Sequence, residues 1–198
     1  MSFVARVFFL LVVAAGAIGI GAYSAERVTR SFPGFVPIHA ESWRGYPGLA
    51  TRSADPYARA NLARTGKLAI ADTEGIEFTA RRDAEGAALR SDCNYNVVGN
   101  VPANRLWTFR VEPVAAQLET ALIPSTFMNS RLHARTRDVD VNLNVGPRPS
   151  GLNWLSVDNT SAEQLAFVIT FYDSAVATTA TFTDLDMPVI YPTGCADG

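Results

Sequence analysis

Histidine and cysteine, the residues on which most metal and nucleophile chemistry depends, number only two each in this 198-residue chain. His39 and His133 fall into no metal-ligand spacing, and no G-x-S-x-G, H-E-x-x-H or glycine-rich phosphate loop occurs. A serine or cysteine nucleophile would have to recruit His133 through folding alone. Cys93 and Cys195 lack the C-x-x-C spacing of a redox pair and are too few for a metal centre. Charge of one sign is missing as well: 17 basic residues face 19 acidic ones, with no basic run. That balance argues against nucleic acid as a partner and against strong adhesion to anionic lipid. There is no internal repeat and no low-complexity tract. These absences leave no activity, cofactor or bound metal to be named from a signature.

What the chain does have begins at its start. Residues 7–23 (VFFLLVVAAGAIGIGAY) form a 17-residue run without a charge, bounded by Arg6 before it and Glu26, Arg27 and Arg30 after it. As a helix, such a run is about 26 Å long, close to the hydrocarbon thickness of a bilayer. A cleaved signal peptide is the competing reading, with Ala22-Tyr23-Ser24 as its small-residue site. The run is long for a signal peptide, so an uncleaved single-pass anchor is expected over residues 1–24. Charges on its two flanks nearly balance and give no orientation. Ala15 with Gly19, and Ala17 with Gly21, place small residues four apart, a weak pointer to close helix pairing.

Cysteine usage bears on orientation. An even pair in an exported domain is usually bonded, whereas two free thiols would be unremarkable in the cytosol. A bond between Cys93 and Cys195 would close a loop of about 100 residues, worth on the order of 4 to 5 kcal/mol in the chain-entropy model. A structural disulfide therefore implies a domain outside the cytoplasm.

Residues 25–52 read as a proline- and glycine-rich spacer, broken by Pro33, Gly34, Pro37, Gly45, Pro47 and Gly48. Phe32, Phe35, Trp43 and Tyr46 are too apolar for a solvated linker, so it is expected to lie on the domain surface. Residues 53–198 are long enough for one domain with its own core. Asp55-Pro56 is a helix start, with a capping aspartate and proline at the first helical position, and the helix over 57–64 should stop at Gly66. Beyond it the hydrophobic period becomes two. Strands are expected at 76–81, 93–98, 105–111, 138–145, 164–172 and 187–191. The stretch 164–172 (QLAFVITFY) is apolar on both faces and reads as a central strand. A short helix is expected at 114–122. Many short strands separated by turns give an antiparallel β-sandwich or barrel.

Candidate chemistry is sparse. Asp138, Asp140, Asn142 and Asn144 would form one row of oxygen donors along a strand. Its first three members match the opening of a calcium loop, but Leu143 replaces the required glycine and Pro149 the closing acid. A solvated sheet face explains such a row better, and acid catalysis by Asp138 and Asp140 has no cleft to support it. Trp43, Tyr46, Trp107 and Trp154 could stack on sugars. Trp107 is better explained by core packing, and Trp43 and Trp154 are left as partly exposed anchors.

Several segments taken together resemble a known family. They are Trp43-Arg44-Gly45-Tyr46-Pro47-Gly48, Asp55-Pro56-Tyr57-Ala58-Arg59-Ala60, Gly75-Ile76-Glu77-Phe78-Thr79-Ala80-Arg81, Cys93-Asn94-Tyr95 with Gly99, Arg105-Leu106-Trp107-Thr108, and Asn153-Trp154-Leu155 with Phe171-Tyr172-Asp173. In that order they resemble domain of unknown function 1214, most closely its alphaproteobacterial members with one N-terminal membrane helix. The resemblance implies a jelly-roll-like β-sandwich held outside the cytoplasm, often encoded beside a protein of sister family 1254. It brings no reaction and no catalytic residues. Cys93 and Cys195 match two cysteines of the anchored members, which supports the disulfide. Departures at Asp138-Val139 and at 152–156 put any shared ligand site there in doubt.

The reading that results is a membrane-tethered cell-envelope protein in the inner membrane, its domain facing the periplasm, working as a non-catalytic binding or assembly module. Its candidate binding surface is Trp43, Arg44, Tyr46, Asn153 and Trp154, with Asp138, Asp140 and Asn142 as weak cation or acid candidates. Expected partners are the membrane, through 7–23, and a sister-family protein. The alternative is an envelope enzyme acting on carbohydrate or a related polymer through surface carboxylates.

Overall fold

A computed structural model of the chain describes residues 3–31, 37–114, 127–135, 139–157, 163–177 and 185–195. Helix α1 (Phe3–Ser31) contains the whole apolar run and is exposed along its length, with Thr29 half-buried near its end. It is long and apolar enough to cross a membrane, as a single span or a signal sequence would be. α2 (Pro56–Thr65) starts where the capping signal places it: Asp55 Oδ1 accepts the Tyr57 and Ala58 amides at 2.8 and 3.0 Å. It ends at Gly66, whose left-handed conformation (φ 65°) suits a residue without Cβ. Asn61 Nδ2 donates to Thr29 O at 3.2 Å and ties the base of α1 to α2.

Among the described residues, ten strands form two sheets. The first runs β1 (Ile38–Ala40), β2 (Trp43–Gly45), β3 (Gly75–Ala80), β9 (Leu165–Tyr172), β5 (Leu106–Pro113), β6 (Phe127–Asn129), antiparallel throughout. The second runs β10 (Val189–Cys195), β4 (Cys93–Gly99), β7 (Val141–Gly146), β8 (Trp154–Ser156), with only β7 and β8 parallel. A short 3-10 turn, Ala175–Ala177, follows β9. The chain is thus mainly β, a two-sheet sandwich with an apolar helix before it.

Alternation fills the space between the sheets. Trp43, Phe78, Phe109, Phe167 and Phe171 point inward from the first sheet, and Tyr95, Val97, Leu143, Val145, Leu155 and Ile190 from the second. Tyr95 and Phe167 meet edge-to-face across the gap at 5.6 Å. The central position of β9 accounts for its two apolar faces: Ala166, Val168 and Thr170 are buried on the side away from the core. Cys93 and Cys195 are directly opposed on β4 and β10 and disulfide-bonded, 102 residues apart in sequence.

Sequence and structure differ in the 25–52 stretch. Its first residues extend α1 to Ser31, and Ile38–Gly45 supply the edge strands β1 and β2. Trp43 is responsible: its side chain fills the core, and its Nε1 donates to Pro188 O at 2.7 Å, so the segment pairs with β3 instead of lying on the surface. The helix expected at 114–122 falls on residues 115–122, outside those described, and so does Asp138.

Candidate functional site

With the core filled, two outer faces remain, and their chemistry differs. On the four-stranded sheet the outward residues include Asn96, Asn142, Asn144, Trp154 and Tyr191. Strand register lines up four of them. Tyr191 faces Asn96, Asn96 faces Asn144, and Asn144 faces Trp154, so two aromatic rings bracket two amides in one row across four strands. At the usual spacing between strands the row is about 14 Å long.

The amides are fixed by one another. Asn96 Nδ2 donates to Asn142 Oδ1 at 3.0 Å and Asn144 Oδ1 at 3.2 Å, and Asn144 Nδ2 donates to Leu152 O at 3.0 Å. Among the described residues, Asn96 Oδ1 and Asn142 Nδ2 have no recorded partner, leaving an acceptor and a donor side by side. Trp154 is held by Nε1 donating to Gly146 O at 3.1 Å, and Tyr191 is 49% exposed.

Supports for this face come from behind and beside it. His133 is buried, its Nε2 lying 3.2 Å from the Asn142 amide and its ring edge-on to Trp107 at 5.4 Å. Burial pushes the imidazole below its ordinary pKa; the Asn142 carbonyl, also 3.2 Å from Nε2, opposes this by favouring a protonated ring, and the nearby Arg135 charge reinforces it. A neutral ring accepting the Asn142 N–H fits these surroundings. Asn153, at φ 56°, clamps the neighbouring loop: its Oδ1 accepts Ala134 N at 2.7 Å, and its Nδ2 donates to Ala134 O and Asn142 O at 2.9 and 3.0 Å.

The outer face of the six-stranded sheet is charged and covered. A cavity of about 250 Å³ lies between it and the 46–72 segment, with Arg44, Lys67, Arg110, Glu77, Glu112 and Leu62 among its lining. Arg110 bonds Glu77 at 2.6 Å and Glu112 at 2.7 Å, and Lys67 reaches Glu112 at 2.5 Å. Burial alone would raise the Glu112 carboxyl, but the Lys67 and Arg110 charges outweigh it and hold it below the usual carboxylate range. For Arg110 burial pulls down, and the paired carboxylates pull the pKa up further. The network is closed, so this face is a mutually neutralised cluster.

The residues expected to make one binding surface are therefore divided. Trp43 is 0% exposed and belongs to the core. Arg44 and Tyr46 line the cavity on the six-stranded side. Trp154 lies on the four-stranded side, where Asn153 is a clamp. The division follows from β2 and β8 belonging to different sheets. The expected oxygen row is shorter than its sequence pattern, because β7 begins at Val141 and Asp140 turns away to accept the Val101 amide at 3.3 Å. Among the described residues no group of three or more His, Cys, Asp or Glu is placed to hold a metal. Asn96 and Tyr191 were not legible as site residues. Each lies on a predicted strand or at its end, but only register brings them beside Asn144 and Trp154.

Comparison with known proteins gives fold and family. No curated protein matches the chain. A crystal structure of the VPA0106 protein from Vibrio parahaemolyticus superposes with a TM-score of 0.52 at 14% identity, covering 72% of this chain and 36% of that one. An uncharacterised protein from Burkholderia cenocepacia gives a TM-score of 0.45 at 15% identity, covering 88% of this chain and 41% of that one. The chain thus spans well under half the length of either. The family model described as protein of unknown function (DUF1214) matches residues 74–176, from the start of β3 through the turn after β9 and over half of the 198 residues, and the chain belongs to that family.

Proposed function

We propose that this chain is a membrane-tethered, non-catalytic binding module of the cell envelope that holds a hydroxyl-rich polymer, a glycan in chemical class, on the outer face of its four-stranded sheet. The observation that carries the reading is the Tyr191–Asn96–Asn144–Trp154 row. Aromatic faces stack on the apolar faces of sugar rings, and fixed amides present donors and acceptors to hydroxyls. An open row suits a chain that passes over it better than a small molecule that must be enclosed.

The tether is α1, retained in the inner membrane with the sandwich in the periplasm. The Cys93–Cys195 disulfide favours an oxidising compartment. Since α2 joins α1 and its Leu62 lines the cavity on the six-stranded side, the amide face is the one turned away from the helix base. A protein of sister family 1254 belongs to the same proposal as an assembly partner, on the strength of the family resemblance alone. Catalysis by carboxylates has no support on this face, where Asp140 is engaged with a backbone amide.

Co-sedimentation tests the reading: the full-length protein in detergent is mixed with purified cell-wall sacculi and with insoluble neutral polysaccharides. Wild type should pellet with at least one of them and be released by soluble fragments of the same glycan. Failure to pellet with any of them would overturn it.

A further inference from the structure

We propose that α2 and its flanks form a second surface, one that docks on anionic phospholipid headgroups and so fixes how the sandwich sits over the bilayer. The inference rests on α1 being a retained membrane span, as proposed above.

Position comes first. The apolar run ends at Tyr23, and Thr29, six residues on, is about 9 Å further along the helix. Thr29 O is the atom that Asn61 of α2 grips. α1 is otherwise exposed, so α2 is the part of the body brought to the membrane, within about one Debye length of the headgroups at physiological salt.

Charge comes second. Whole-chain balance hides a local excess: residues 44–72 hold five basic residues and two acidic ones, while the rest of the chain is acidic on balance. Both acids face backbone, Asp55 capping α2 and Asp72 Oδ1 accepting the Gly48 amide at 3.0 Å. Lys67 is occupied by Glu112. Arg52, Arg59 and Arg64 remain exposed, the last two flanking the solvent side of α2 opposite buried Ala58. Apolar groups lie among them: Leu68 is 94% exposed and Tyr57 44%. Arginines beside an exposed leucine and tyrosine match a headgroup layer, where guanidinium meets phosphate and the apolar tips enter the acyl boundary. Net charge argues against strong adhesion of the chain as a whole to anionic lipid, and the docking proposed here rests on a local excess gathered next to the tether.

The test reconstitutes the full chain into nanodiscs of phosphatidylcholine alone or with one third phosphatidylglycerol, and follows hydrogen exchange of the amides in 56–70. Exchange there should slow at least threefold in the anionic discs, and the slowing should disappear in 0.5 M NaCl and in an Arg59→Gln, Arg64→Gln variant whose exchange in the strands is unchanged. Retention in both discs with identical exchange would overturn this inference alone. A chain that leaves both discs would overturn the tethered reading and this one with it.

Discussion

Tyr191 on β10 stands directly across from Asn96 on β4, and the amide of Asn96 bridges to both Asn142 and Asn144 on the next strand. An exposed phenol and a fixed amide are thereby joined to the ring of Trp154 two strands away. None of these residues neighbours another in sequence except Asn142 and Asn144, which alternate on β7. The row is made by strand order.

Asn96 is the keystone of that row. Asn96→Ala removes three side-chain hydrogen bonds, to Asn142 Oδ1, Asn144 Oδ1 and Leu143 O, from a half-buried position and leaves the two amide oxygens to water. The expected loss is about 1 to 2 kcal/mol in urea unfolding with unchanged slope. Asn96→Asp should cost at least as much, since a carboxylate cannot donate to either oxygen.

The disulfide holds the last strand. Cys195→Ser with Cys93→Ser frees a loop of about 100 residues and should lower stability by on the order of 4 to 5 kcal/mol in the chain-entropy model. Dithiothreitol should produce a comparable fall in the melting temperature of wild type and none in the variant.

Gly75 has no room for a side chain. A Cβ there would lie 2.2 Å from Phe171 O, a backbone atom of the central strand that cannot swing aside. Gly75→Ala should therefore cost about 1 to 3 kcal/mol or more, and circular dichroism with thermal melting would show it. Gly86→Ala, with open space but positive φ, should cost less.

Among the described residues, apart from the exposed Asp92–Arg90 pair, two groups away from full solvent have depressed pKa values, and both weaken the fold as pH falls. His133 has a depressed pKa in the folded state, so the unfolded chain binds the extra proton first. Its contribution is complete well above the ordinary histidine value of about 6.5 and is lost as pH falls from there to the lower folded value. Glu112 is also depressed, and its contribution is present above the ordinary glutamate value of about 4.3 and lost as pH falls through the folded one. Stability measured from pH 8 downward should thus fall in two steps. His133→Gln should flatten the first and Glu112→Gln the second.

Local physics made much of the fold readable. Period-two alternation gave the strands at β3, β4, β5, β7 and β10 to within a few residues, because each turns one apolar face to the core, and β9 was legible from a run apolar on both faces. The Asp55-Pro56 cap and Gly66 marked α2 for the same kind of reason, a backbone requirement written in side chains. β1, β2, β6 and β8 were not legible. Three residues carry too little periodicity to register, and each exists because a longer neighbour offers an edge. Trp43 shows the limit most clearly: a tryptophan among prolines and glycines reads as a surface anchor until β3 pairs with its strand and buries it. Asp140 falls just before β7, because alternation in the sequence extends past the point where pairing with β4 begins, and Asp138 lies outside the described residues.

The central claim is that the four-stranded face binds polymer, and calorimetric titration of full-length protein in nanodiscs with soluble cell-wall glycan strands tests it most directly. Wild type should bind, and Tyr191→Ala, which removes an exposed ring without touching the core, should weaken binding about tenfold, roughly 1.4 kcal/mol, with no change in melting temperature. Equal affinity in the two proteins, or no heat in either, would contradict the account.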